Sequence, residues 1–210
     1  SAVPSESAVG TYTIHWKVLG DANHSDTTPD ELTVSIGRNE VKIPGISLSS
    51  EELKYTGSQQ KPVITVYDDS GRLIPEHEYT VTITGTNGNA GMVDVDTYTV
   101  TITTPSTSNY DIQSNNVRTF KIVPADQESI SITGSQAQVR YGDTIQLVAT
   151  GGTGAGNVTW KVEAKDGSAI ASTISATGLL TVRDVGGPLV VTVTRSRGGN
   201  YADVSAKWEF

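Results

Sequence analysis

The chain has 210 residues, a formal net charge of −8 and no cysteine. That acidity argues against nucleic acid and against an anionic membrane surface as partners, and the missing cysteine excludes stabilisation by disulfides. No apolar run approaches the length of a membrane span, and a composition rich in Thr, Val, Ser, Ile and Gly suits short half-buried strands better than helices.

Residues 1–38 hold a strand, a loop and a strand. Tyr12, Ile14, Trp16 and Val18 alternate with Thr11, Thr13, His15 and Lys17, and Leu32, Val34 and Ile36 alternate after the loop at 20–30. Two strands alone cannot bury both sides of a sandwich core, so a partner is expected to cover them: a neighbour, another copy of the chain or a fold-completing segment. The stretch opens at Ser1 in what reads as the middle of a module. It has no signal peptide, and Met92 is the single, internal methionine. These features suggest a piece of a longer polypeptide, so the missing export signal carries no weight.

Residues 39–124 read as one complete module. Tyr55-Thr56-Gly57 opens a turn, 62–67 reads as a strand, and Asp68-Asp69-Ser70-Gly71 as a hairpin turn. A strand at 79–84 and a turn at Thr86-Asn87-Gly88-Asn89 follow. Val123-Pro124-Ala125-Asp126 is a short, proline-stiffened linker. Residues 125–210 read as a second complete module. Tyr141-Gly142-Asp143 echoes Tyr55-Thr56-Gly57 at an offset of 86 residues. Ile145, Leu147 and Ala149 alternate, a glycine-rich loop fills 151–157, and a strand at 158–162 carries Trp160.

One element occurs three times. With Thr11, Thr97 and Pro188 aligned, Tyr12, Tyr98 and Leu189 coincide, as do Ile14, Val100 and Val191, and then Trp16, Ile102 and Val193. Each copy ends in an Asn-aromatic pair: Asn23-His24, Asn109-Tyr110 and Asn200-Tyr201. The copies start 86 and 91 residues apart, about one β-sandwich each. Shared parity means that the same face is buried each time.

The 125–210 stretch resembles the bacterial immunoglobulin-like domains (group 2 type) of surface adhesins and invasin-type proteins. The features that carry the likeness are Tyr141-Gly-Asp, Val158-Thr-Trp, Thr177-Gly178-Leu-Leu-Thr-Val and Leu189-Val-Val-Thr-Val-Thr. The 39–124 stretch is similar to related cell-surface repeats marked by Tyr-Thr-Gly, Tyr-Thr-Val-Thr, Asn-Tyr and a closing Phe-x-Ile. Asp96 departs from the glycine seen at Gly10 and Gly187, and Leu189 from the tyrosine that opens the corresponding strand. The resemblance implies an all-β fold of tandem immunoglobulin-like β-sandwiches: the C-terminal half of a truncated module at 1–38, an immunoglobulin-like module at 39–124 and a bacterial immunoglobulin-like module at 125–210. Ile14, Val100 and Val191 then stand where other members of the fold carry a cysteine.

Chemistry is harder to find. The glycine-rich loop at 151–157 is followed by a strand and by no Lys-Ser or Lys-Thr, which argues against a phosphate loop. Glu76-His77-Glu78, read as a strand, points His77 away from both carboxylates and makes a poor metal site. The acidic pairs Glu51/Glu52, Asp68/Asp69, Glu76/Glu78 and Asp94/Asp96 mostly flank turns, where they serve solubility rather than glycoside hydrolysis. No Ser-His-Asp context surrounds the histidines. His15 reads as solvated, and His24 as packed like the tyrosines of the other copies. Asn23-His-Ser and Asn157-Val-Thr are formal glycosylation acceptors without weight in a bacterial protein. Trp16, Trp160 and Trp208 fall on inward positions. The expectation is no catalytic, metal-binding or cofactor-binding residue, and no enzyme.

The expected function is that of structural spacer or stalk modules in a bacterial cell-surface or secreted protein, partnered by neighbouring modules of a longer chain and not inserted in a membrane. The alternative is an adhesion module that binds a host glycan or protein through its end loops, and a weaker one is an accessory domain of a secreted glycan-processing enzyme. At the joint between the two complete modules, Asp94 and Asp96 are expected beside the linker that carries Asp126 and Glu128, with Arg195 and Arg197 facing them. Either ion pairs or a calcium ion held by the carboxylates would then restrict bending there.

Overall fold

The computed structural model describes residues 5–42, 44–86, 88, 90–113 and 116–210. The chain is all-β. In order the strands are β1 (Gly10–Trp16), β2 (Asp30–Ile36), β3 (Asn39–Val41), β4 (Gly45–Leu48), β5 (Glu52–Lys54), β6 (Ile64–Tyr67), β7 (Thr80–Gly85), β8 (Asp96–Thr103), β9 (Tyr110–Ile112) and β10 (Val117–Val123). They continue as β11 (Ile130–Thr133), β12 (Thr144–Gln146), β13 (Val148–Gly151), β14 (Val158–Ala164), β15 (Thr173–Ile174), β16 (Leu179–Thr181), β17 (Leu189–Arg195) and β18 (Val204–Glu209). Glu76–Glu78, weighed from sequence only for how it would point on a strand, is a 3-10 turn following Pro75. Of the turn read at 86–89, Asn87 and Asn89 lie outside the described residues.

The chain forms two compact units. One comprises Ser1–Glu51, Pro62–Ala90 and Tyr98–Phe120; the other comprises Glu52–Lys61, Gly91–Thr97 and Lys121–Phe210. Strands β8 and β10 contribute residues to both.

In the first unit, β1 and β2 pair antiparallel, with Tyr12 opposite Val34 and Ile14 opposite Leu32. Directly opposed residues share a face, so one side of this ribbon is apolar. Leu32 and Trp16 are about half exposed on it, at 55% and 48%. Trp16, expected in a core, is therefore not in one: among the described residues of the unit, no second layer covers its end of the ribbon. β7 pairs antiparallel with β8, placing Val100 opposite Ile83 and Ile102 opposite Val81. Tyr98, Val100 and Ile102 are fully buried while Thr99 and Thr101 are half-buried, so the strand keeps the register that its alternation predicts. Phe120 stacks on Tyr98 at 5.3 Å between ring centroids.

In the second unit, Ile145, Leu147, Leu180, Val182 and Val191 form a buried cluster. β17 is its spine: β14 flanks one side, with Val162 opposite Val191 and Trp160 opposite Val193, and β18 the other, with Trp208 opposite Val191. Trp160 and Trp208 pack against the cluster but are only partly buried, as their size favours. Gly178 is needed beside Trp160. Its φ is +84°, and a Cβ there would lie 3.1 Å from the indole and 2.5 Å from the Leu147 carbonyl oxygen. β5 runs parallel to the last residues of β10, Lys121 to Val123.

Candidate functional site

Among the described residues no cluster of three or more His, Asp or Glu side chains is suited to a metal ion. The most developed polar constellations are two asparagine clamps, built on the Asn-Tyr pairs of the recurring element.

Asn109 follows the polar loop after β8. Its backbone carbonyl accepts the Asn39 N–H at 2.8 Å, which starts the parallel pairing of β3 with β9, Asn39 opposite Tyr110. Its side-chain Oδ1 accepts the Val9 N–H, also at 2.8 Å. The Nδ2 donates to Glu78 Oε1 at 2.8 Å, and the Asn109 backbone N–H donates to Glu78 Oε2 at 2.7 Å. One residue thus holds the opening strand of its own sequence copy and the segment just before β1.

Asn200 repeats the arrangement. Its carbonyl accepts the Ala125 N–H at 3.0 Å, and Ala202 donates back to the Ala125 carbonyl at 2.8 Å; Ala125 and Tyr201 form a parallel bridge. Its Oδ1 accepts the Val95 N–H at 2.7 Å, just before β8. Val9 and Val95 are 86 residues apart and Asn109 and Asn200 are 91 apart, the offsets of the recurring element. The clamps differ in the partner of Nδ2. Asn200 donates to Asp94 at 2.9 Å, in the segment that it grips, whereas Asn109 donates to Glu78 of its own copy. The residue corresponding to Asp94 beside β1 is Ala8, which carries no acceptor side chain. Tyr201 adds an edge-to-face contact with Tyr55, centroids 5.6 Å apart.

Glu78 is buried, with 6% of its surface exposed. Burial by itself pushes its carboxyl pKa up, but hydrogen bonds from the Asn109 N–H, from Ser108 and from the Asn109 amide, with His77 beside it, outweigh that and hold it below the usual value. Strand geometry, on which His77 and the two carboxylates would alternate, does not show this role. In the 3-10 turn Glu78 faces inward and His77 stays exposed.

Asp94 and Val95 meet the loop that follows β17, as the sequence implies, but without the expected ion pairs to Arg195 and Arg197. The arginines are engaged elsewhere. The Arg195 guanidinium donates to the carbonyls of Gly154 and Gly156, and the Arg197 side chain donates from Nε to the Gly199 carbonyl. Asp126 pairs with Lys54 instead. For Arg195 the cause is the glycine-rich loop at 151–157, which is tightly packed. Gln127 Oε1 accepts the Gly154 N–H, Gln127 Nε2 donates to the Ala202 carbonyl, and a Cβ on Gly156 would lie 1.7 Å from the Ser196 oxygen. His24 also departs from expectation. It is exposed and bonded to Asp21 at 2.7 Å, a local turn that replaces packing of the tyrosine kind. His15 is exposed as expected, 3.1 Å from Glu31.

The recurrence of Asn-Tyr was legible in the sequence, and so was the meeting of 94–95 with the loop after β17. The clamp itself was not, because the groups that Oδ1 takes are backbone N–H groups, which leave no mark on residue identity. No protein-family model matches the chain, and comparison with curated proteins returns no match.

Proposed function

We propose that the chain is a run of tandem immunoglobulin-like β-sandwiches serving as a structural spacer in a bacterial cell-surface or secreted protein, and that it is not an enzyme. Its partners are neighbouring modules of a longer chain. The observation that carries this reading is the repeated clamp: the same Asn-Tyr pair, at the same place after the same strand, ties the start of its own copy to the edge of the copy before it. A spacer needs such joints, because exposed ion pairs contribute only about 0 to 1 kcal/mol each and would leave a linker free to bend.

Single-molecule stretching tests the reading. Tandem modules unfold in separate events, each releasing about 25 to 30 nm of chain at about 3.3 to 3.6 Å per residue. One event releasing all the residues together contradicts it. Saturable binding of the immobilised chain to a glycan array or to host matrix proteins would favour the adhesion alternative.

A further inference from the structure

We infer that the end of the 125–210 stretch formed by Tyr141, Val185, Gly186, Gly187 and Phe210 is a docking site for the Asn-Tyr loop of another module, one of the 39–124 kind; the inference rests on the tandem-module reading above. At the offsets of the recurring element Gly186 stands where Val9 and Val95 stand, and Tyr141, in the Tyr141-Gly142-Asp143 that echoes Tyr55-Thr56-Gly57 86 residues on, stands where Tyr55 stands. The Val9 and Val95 N–H groups are each taken by an asparagine Oδ1, at 2.8 and 2.7 Å. Among the described residues nothing accepts the Gly186 N–H. Tyr55 is half-buried against Tyr201, whereas Tyr141 is 64% exposed. Val185, at the position of Asp94, is 83% exposed. Together with Val139 these residues line a groove that ends at Phe210.

The chemistry of the end selects the partner. Where the gripped segment carries an acid, Asp94, the asparagine Nδ2 donates to it. Where that position is Ala8, the asparagine brings its own acceptor, Glu78, from the same copy. Val185 is apolar like Ala8, and Asp184, the carboxylate that lines the groove, is already taken by the Ala171 and Ser172 N–H groups. A loop of the Asn200 kind would leave its Nδ2 without an acceptor there, an unpaired polar group that weakens docking. A loop of the Asn109 kind arrives with its amide already satisfied by Glu78, leaving Oδ1 for Gly186 and the tyrosine for Tyr141.

The test extends the full chain by a second copy of residues 39–124 joined directly after Phe210, with a copy of residues 125–210 as the comparison. Amide hydrogen exchange is followed at Gly186, and the core amides of the appended copy report whether it has folded. The 39–124 extension is expected to slow Gly186 exchange by about tenfold or more, and Asn109→Ala in the appended copy is expected to restore the parent rate. The 125–210 extension is expected to protect Gly186 less. A folded 39–124 extension with Gly186 unchanged overturns the docking site alone, and equal protection by both extensions overturns the choice of partner. An appended copy that does not fold overturns the modular reading and the docking site with it.

Discussion

Asn109 uses its backbone carbonyl and N–H together with both ends of its side-chain amide, Oδ1 as acceptor and Nδ2 as donor. Asn109→Ala should therefore cost about 1.5 to 3 kcal/mol in urea unfolding, because a carboxylate loses a donor and a backbone N–H loses its acceptor. The Glu78 carboxylate makes part of that stability depend on pH. Its folded-state pKa lies below the unfolded one, so its contribution is present in full above the unfolded value and is lost as the pH falls through the folded value. Glu78→Gln should lower stability at about pH 7 and flatten the fall in unfolding midpoint between about pH 5 and pH 3; a variant that keeps the parent's acid sensitivity would assign that fall to other carboxylates. Glycines separate along similar lines. Gly156→Ala meets the Ser196 carbonyl and should destabilise by about 1 to 3 kcal/mol or more, whereas Gly37→Ala, with open space around it, should stay within about 0.5 kcal/mol of the parent.

Strands were the most legible elements, because the alternation of β-branched and threonine residues states both the strand and its buried face. Tyr98, Val100, Ile102, Phe120 and Ile122 are buried as their parity predicts, and so are Ile145, Leu147, Leu180, Val191 and Val193. Leu180→Ala should cost about 2 to 5 kcal/mol in thermal or denaturant unfolding, against about 0.5 kcal/mol or less for Thr99→Ser. What alternation does not show is whether a second layer covers the face. β1 carries the same pattern as β8, yet Trp16 and Leu32 stay half exposed. Such a face recruits a partner, so sedimentation should show concentration-dependent self-association that Leu32→Glu abolishes; a strict monomer at every concentration would contradict this. Turns were less legible than strands. Glu76–Glu78 follows a proline and precedes an extended residue, and nothing in its residue types marks Glu78 as the acceptor for Asn109, which lies 31 residues on.

At the scale of the molecule, a chain with a net charge of −8 gains little from more surface charge, and Arg195 is engaged by the carbonyls of the glycine loop. The grip of the repeated asparagine on Val9 and Val95 rests instead on directional hydrogen bonds. The measurement that tests it most directly is amide hydrogen exchange of the full chain and of Asn200→Ala, followed at Val95 and, as a reference for global stability, at Val191. Loss of the Oδ1 acceptor should speed Val95 exchange by about tenfold while Val191 keeps its parent rate. Val95 exchanging at the parent rate in Asn200→Ala would contradict the account.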